Sequence, residues 1–301
     1  MIAPVRLPWQ RPRFTPPGAP RPARLGFIAL LETPKIDAAL EAARAALGPD
    51  DPDDPAASAA SAAWDALEID VRARAADGGR LGDILAGRAG MTLTQLPEAA
   101  QHDIARATRY VTISATYPDP AALDVLQAAL ACARALADEG DLTAWLDVST
   151  ARWWLPDELT ALDPQRRFEL DEHIQIVVEA AERRPGHGHV VRSRGLDKLA
   201  RPDVAARAPR RDAPLLSEVV RDLARLLAEG VVIEPGDRLT VRDLPPLTVV
   251  AVGPDTLAPA PAASAPVFEL RDVRPDGGGP ADGCPALLAA LKPRPRLKVL
   301  R

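Results

Sequence analysis

The chain has 301 residues and a formal net charge of −5, which gives no global reason to expect binding to nucleic acid or to an anionic membrane. This length allows one large domain or two small ones, and either can bury a sizeable core. No apolar run reaches the ~18 residues of a transmembrane helix, and residues 1–22 lack the apolar stretch of a signal peptide. The two cysteines, Cys132 and Cys284, are far apart and outside any metal-binding spacing, which favours a reducing, cytoplasmic location.

The predicted elements follow from periodicity and from helix-capping signals. Residues 1–23 alternate proline and arginine and predict an extended arm. The acidic stretch 49–62 predicts a solvated loop, because it lacks the glycine turn and distal glutamate of a calcium loop. The glycine-rich stretch 77–101 predicts one short helix near 81–86 and has neither a P-loop nor a dinucleotide-binding spacing. The main helices are predicted at 35–47, 121–138 and 214–229, and strands at 24–31, 64–74, 110–117, 142–148, 173–180, 231–233 and 247–252.

Together these elements predict an α+β fold with a mixed sheet of five to seven strands, covered by the three main helices. We expect one domain over residues 24–252. Similar helix ends at 134–140 and 225–230 leave open two related αβ halves, about 24–118 and 119–252. Residues 253–301 predict a Pro/Gly/Ala-rich tail with one strand at 267–273.

Two histidines stand in the most densely charged part of the chain. His187 and His189 are two residues apart, so a strand would point both to one face, where His173 or Asp171 could complete a metal site. The neighbouring glycines and proline suit a turn, and a structural histidine pair is the favoured interpretation. No serine lies in a nucleophile elbow. We therefore predict no catalytic residue and no cofactor.

Residues 183–211 contain nine cations and two acids, a net charge of +7, so the rest of the chain carries −12. Such a segment can attract a phosphate, a nucleic acid or an acidic partner. It can equally pair with the acidic residues of its own chain, which is the favoured interpretation. Nucleic acid is disfavoured because the segment lacks aromatic residues on which bases could stack. The candidate anion ligands are Arg192, Arg194, Lys198 and Arg201.

The same segment also has the pattern of a strand followed by a rigid turn. Gly195 is expected to take a conformation closed to other residues as the strand ends. Leu196 and Leu199 would then enter the core. Arg201-Pro202-Asp203 would form a turn that Arg194 or Lys198 braces through Asp197 or Asp203. A structural role for Gly195, Leu196, Pro202 and Asp203 is favoured over a ligand site.

Residues 188–204 (GHVVRSRGLDKLARPDV) resemble the strand-turn segment of uncharacterised bacterial α+β domains of the DUF4261/DUF4026 kind. The resemblance extends in element order over about residues 110–250. Such families usually place glycine before Arg-Pro-Asp, whereas this chain has Ala200. The resemblance implies an α+β fold and an association with bacterial interaction or defence systems, and no catalytic residue.

Two functions remain open, and the sequence favours a protein that is not an enzyme. The first is a bacterial protein-binding or assembly component that uses its proline-rich termini and the basic segment, with a protein partner or a homo-oligomer. The alternative is an enzyme or sensor that binds an anionic small molecule, with or without a metal, near His187, His189, Arg192 and Arg194.

Overall fold

The computed structural model describes residues 22–32, 35–47, 55–117, 123–139, 142–162, 168–180, 188–239, 245–253, 267–273 and 284–291. These residues divide into two compact units, each with its own sheet. The first unit comprises residues up to His173 together with Asp197–Ala200, and the second comprises Ile174–Leu196 and the residues from Arg201 onward. The α+β class is confirmed, and the strands are shared between one sheet of five strands and one of six.

The sheet of the first unit has the order β2-β3-β1-β4-β5 and is antiparallel throughout. Phe27–Leu31 of β1 and Ala144–Asp147 of β4 are buried at every position, so both faces of this sheet are covered, because successive side chains point to opposite faces. Phe27 and Trp145 stack on one face with ring centroids 5.0 Å apart. The strands are β1 (Ala23–Leu31), β2 (Glu68–Ala73), β3 (Arg109–Tyr117), β4 (Leu142–Asp147) and β5 (Arg152–Trp154).

Three short helices pack on the face that carries Ile28, Leu30 and Leu146, through Leu81, Ala89 and Ile104. The long helix α6 contacts β1, β3 and β4 and also packs against α1 and α2. The helices of this unit are α1 (Ile36–Ala46), α2 (Pro55–Asp65), α3 (Arg80–Leu85), α4 (Arg88–Leu93), α5 (Glu98–Arg106), α6 (Asp124–Glu139) and α7 (Leu170–His173).

The sheet of the second unit is mixed, with the order β6-β7-β8-β11-β10-β9. Only β8 and β11 run parallel. Helix α8 (Ala213–Glu229) contacts β6, β7 and β8, and helix α9 (Pro285–Leu291) contacts α8 and β11. The strands are β6 (Gln175–Ala180), β7 (His189–Arg194), β8 (Asp203–Ala208), β9 (Arg238–Leu239), β10 (Leu247–Val252) and β11 (Val267–Asp272).

Most predicted elements are confirmed, and four differ. The strand predicted at 64–74 begins only at Glu68, since Trp64 and Asp65 belong to the end of α2. Residues 49–62 are not all loop, because α2 begins at Pro55 and its alanine-rich sequence favours a helix. Residues 231–233 do not form a strand: the N–H of Val231 donates to the carbonyl of Leu226 and closes the end of α8 after Gly230 (φ +104°). The stretch 77–101 contains three short helices where one was predicted.

The sequence predicts one domain over residues 24–252, with two halves as the alternative, whereas the described residues divide into two compact units at other boundaries. The first division falls between His173 and Ile174, whereas the predicted halves met at 118/119. The predicted tail contributes β11 and α9 to the second unit, because β11 pairs with β8 in the middle of the sheet. Of the arm predicted at residues 1–23, residues 1–21 lie outside the described residues, and Ala23 is the first residue of β1. Among the described helices, none has the length and apolar character needed to cross a membrane.

Candidate anion site in the second sheet

The central segment has the predicted order of a strand, a turn and a second strand. Gly195 follows β7 with φ +100°, the left-handed conformation expected for it. Leu196 and Leu199 are fully buried in the short 3-10 turn that follows. Ala200 has φ +55°, which is also a left-handed conformation. An alanine in this conformation costs about 1 kcal/mol or more relative to glycine, so the surrounding contacts must hold the turn.

The four candidate anion ligands do not converge on one site. Arg192 and Arg194 are two residues apart on β7, so their side chains point to the same face of the sheet. Lys198 is fully buried in the first unit and pairs with the carboxylate of Asp147. The Nε of Arg201 donates to the carbonyl oxygen of Leu227 near the end of α8, at 3.3 Å. Lys198 and Arg201 therefore have structural roles.

The predicted bracing of the turn also differs in its partners. Arg194 forms an ion pair with Glu179 of β6, and its charge also acts on the nearby Asp203, where it favours the ionised carboxylate. Asp203 lies 3.5 Å from Nη2 of Arg192. Its Oδ1 accepts hydrogen bonds from the Ser193 hydroxyl at 3.2 Å and from the backbone N–H of Leu196 at 3.4 Å. Asp203 thus ties the two ends of the turn together.

The face of the second sheet that carries Arg192 is rich in ion pairs. Glu269 is fully buried on β11 and binds two guanidinium groups, that of Arg207 at 2.7 Å and that of Arg271 at 2.6 Å. We call the seven charged residues of this face the arginine cluster. It contains four guanidinium groups and three carboxylates, a formal charge of +1: Arg192, Arg194, Arg207, Arg271, Glu179, Asp203 and Glu269.

Helices α8 and α9 lie on the opposite face of this sheet. Asp272 directly follows Arg271 on β11, so its side chain points to the opposite face of the sheet, away from the arginine cluster. Its carboxylate accepts hydrogen bonds from the N–H groups of Ala286 and Leu287 at the start of α9, and α9 in turn contacts α8. The cluster therefore lies on the face away from the helices that close the core of this unit.

Arg192 has fewer partners than its burial requires. It is 5% exposed, and its Nη2 lies near Asp203. Its Nε and Nη1 are buried and have no hydrogen-bond partner among the residues that the structure describes. A buried polar group without a partner costs ~1–3 kcal/mol, and more when it is charged. Two donors on one buried cation therefore mark a place where a further acceptor would be stabilising.

The electrostatics of the cluster agree with this arrangement. Burial raises the pKa of Asp203 above its usual range, and the nearby Arg192 opposes that shift. Both carboxylate oxygens of Glu269 are occupied by guanidinium groups. Each of the three carboxylates lies beside a guanidinium group, and the buried Nε and Nη1 of Arg192 are hydrogen-bond donors. Donors of this kind can hold an anion.

The described candidate metal ligands belong to different units. His189 is the first residue of β7 and, by strand alternation, points to the face opposite Arg192. His173 ends α7 in the first unit and stacks on Phe168 with ring centroids 4.6 Å apart. His187 lies outside the described residues. Within the described ranges, no three histidine, cysteine or acidic residues are grouped so that they could hold a metal ion.

The charge of residues 183–211 is largely neutralised within the protein. Five of its cations are buried or half-buried and contact protein acceptors, whereas Arg210 and Arg211 are exposed, and Arg183 and Arg184 lie outside the described residues. Four of these five pair with acids of the chain, as the favoured interpretation predicts, whereas Arg201 donates to a backbone carbonyl; Asp50–Asp54 lie outside the described residues. The five are Arg192, Arg194, Lys198, Arg201 and Arg207.

Of the three acids in the cluster, sequence reasoning singled out Asp203 but neither Glu179 nor Glu269. Glu179 and Glu269 each stand among apolar residues of a strand (IVVEA and VFEL). A charge in such a buried strand needs a partner, so the glutamates at these two positions could have indicated buried ion pairs from the sequence alone.

Comparisons of the chain with protein-family models, with curated proteins and with solved structures find no match. The resemblance of residues 188–204 therefore stays a prediction.

Proposed function

We propose that this protein is a non-enzymatic binding protein whose second unit takes up a small oxyanion at Arg192. The observation that carries the proposal is the pair of buried guanidinium nitrogens, Nε and Nη1, without a partner among the described residues. A charge-assisted hydrogen bond to an oxyanion is about twice as strong as a neutral one. Such a ligand would offset the cost of burying these donors.

The charge of the arginine cluster indicates the class of ligand. With four guanidinium groups and three carboxylates, a single negative charge makes the cluster neutral. We therefore expect a singly charged oxyanion, such as a carboxylate or a monoanionic phosphate, to bind more tightly than sulfate. The protein would act as a sensor or as a component that recognises an anionic group, and both buried thiols agree with a reducing, cytoplasmic location in a bacterium.

The test is thermal unfolding in acetate, phosphate and sulfate at one ionic strength, with chloride as the reference. A ligand at 100 times its dissociation constant stabilises the folded state by about 2.7 kcal/mol, which is several degrees in Tm. We expect acetate or phosphate to raise Tm and Arg192→Gln to abolish the shift. Arg192→Lys keeps the charge without the planar donors and should retain only a small part of it.

The matched control is Arg134→Gln, because Arg134 is a half-exposed arginine of α6 whose partner is Asp138. This variant should respond to anions as the wild type does. A wild type that shows no shift beyond chloride, or a shift that persists in Arg192→Gln, overturns the proposal. Far-UV circular dichroism of each variant shows whether it folds, and Arg192→Lys provides the test if the glutamine variant does not.

A further inference from the structure

The edge strands of the two sheets differ in how they are protected from other strands. Natural edges are kept from pairing by charged side chains, by short length or by irregularity. The edge strand β2 carries alternating charges at Glu68, Asp70 and Arg72. The edge strands β5 and β9 have only three and two residues. Three of the four edges are therefore protected.

The fourth edge, β6, is less protected, because its one charged side chain, Glu179, is bound by Arg194 of the adjacent strand. Its six residues, QIVVEA, contain no lysine or proline, and its register with β7 is uninterrupted. Val178 is 47% exposed, and Ile176 and Val177 are half-buried. Valine and isoleucine favour extended structure, so the backbone groups along the outer side of β6 are set to pair with another strand. Among the described residues, β6 pairs with β7 alone.

We propose that β6 is a self-association site at which a second copy of this chain adds its own β6 in antiparallel orientation. The charge of the strand favours this occupant. Its one ionisable residue, Glu179, is bound by Arg194 of the adjacent strand, so two copies of β6 do not repel each other. A two-fold axis at Val178 places the two Val178 side chains opposite each other, where a β-branched pair is stabilising.

Such pairing is isologous and therefore closed: each copy uses its β6 once, and the result is a dimer with one continuous sheet of twelve strands. One pair of six-residue strands buries less than the ~1,600 Å² of a standard interface. The dimer should therefore be weak, with a dissociation constant on the order of micromolar, and its population should depend on protein concentration. This inference does not depend on anion binding at Arg192.

The experiment is sedimentation equilibrium of the full chain from about 1 to 200 µM, which spans the expected micromolar dissociation constant. The test variant is Val178→Lys, which places a charge on the exposed edge. Its matched control is Val71→Lys, because Val71 is 39% exposed on the already charged edge strand β2. We expect dimerisation of the wild type and of Val71→Lys, and at least a tenfold weaker dimer for Val178→Lys.

Three results would overturn the proposal. The first is a wild type that is monomeric over the whole concentration range. The second is a dimer that Val178→Lys leaves unchanged, and the third is a dimer that both lysine variants weaken equally. Far-UV circular dichroism and the melting temperature establish that each variant is folded. If Val178→Lys does not fold, Val178→Thr keeps the β-branched shape, removes apolar surface and should weaken the dimer less strongly.

Discussion

The ion pair between Lys198 and Asp147 gives a prediction whose size follows from the partners of each group. The lysine side chain is fully buried and the aspartate side chain is 4% exposed. Removing one partner from a buried pair costs about 3–5 kcal/mol, because the other charge is left without compensation. We expect both Lys198→Met and Asp147→Asn to lower the free energy of unfolding, and by different amounts.

The difference comes from the contacts that remain in each variant. In Lys198→Met, the carboxylate of Asp147 still accepts hydrogen bonds from the backbone N–H groups of Ser149 at 3.0 Å and Thr150 at 3.3 Å. In Asp147→Asn, the ammonium group of Lys198 loses its anionic partner. Its contact with the ring of Phe27 remains, but it is weak, because Nζ lies 5.8 Å from the ring centroid. We therefore expect a loss of about 3 kcal/mol for Lys198→Met and about 5 kcal/mol for Asp147→Asn.

Urea unfolding followed by tryptophan fluorescence measures these losses in the unit concerned, because the described tryptophans all lie in the first unit: Trp64, Trp145, Trp153 and Trp154. The double variant should lose about 3 kcal/mol less than the sum of the single losses, since no isolated charge remains. Lys35→Met, at an exposed lysine, is the control and should change stability by less than about 0.5 kcal/mol. A smaller loss for Asp147→Asn than for Lys198→Met, or additive losses in the double variant, would refute the reasoning.

Three further predictions test single features. Burial raises the pKa of the Cys132 thiol to about 12 and also raises that of Cys284, so Ellman's reagent should label neither thiol in the native protein and both in denaturant. Gly90→Ala should destabilise the first unit by at least about 2 kcal/mol in urea unfolding, because the added Cβ would overlap the carbonyl oxygen of Leu85. Burial raises the pKa of Asp203 above the ordinary aspartate value of 3.8. The contribution of this group to stability is therefore fully present below about pH 3.8 and is lost as the pH rises through the pKa of the folded state. The free energy of unfolding of Asp203→Asn, followed by circular dichroism, should lack this loss; a difference from wild type that does not vary with pH contradicts it.

Local sequence features predicted elements well where one residue type or one period dominates. Helices α6 and α8 follow from leucines at helical spacing, and the stop of α8 follows from Gly230. The left-handed turn at Gly195 was predicted because only glycine adopts it without strain. The prediction failed at α2, where acidic residues before Pro55 obscured a run of strong helix formers, and at Val231, whose N–H is taken by the end of the preceding helix.

The sequence by itself determined the α+β class, the long helices and the strand-turn-strand form of the central segment, because these depend on periodicity and on residues near one another in the chain. Only the tertiary structure decided which cation meets which acid. Lys198 pairs with an aspartate 51 positions away, and Arg207 with a glutamate 62 positions away. Strand order brings such residues together, and charge alone does not select between equivalent partners. For the same reason, the sequence alone could not identify Nε and Nη1 of Arg192 as a candidate site. Their lack of a partner among the described residues follows only from the pairing of the other cations in the fold.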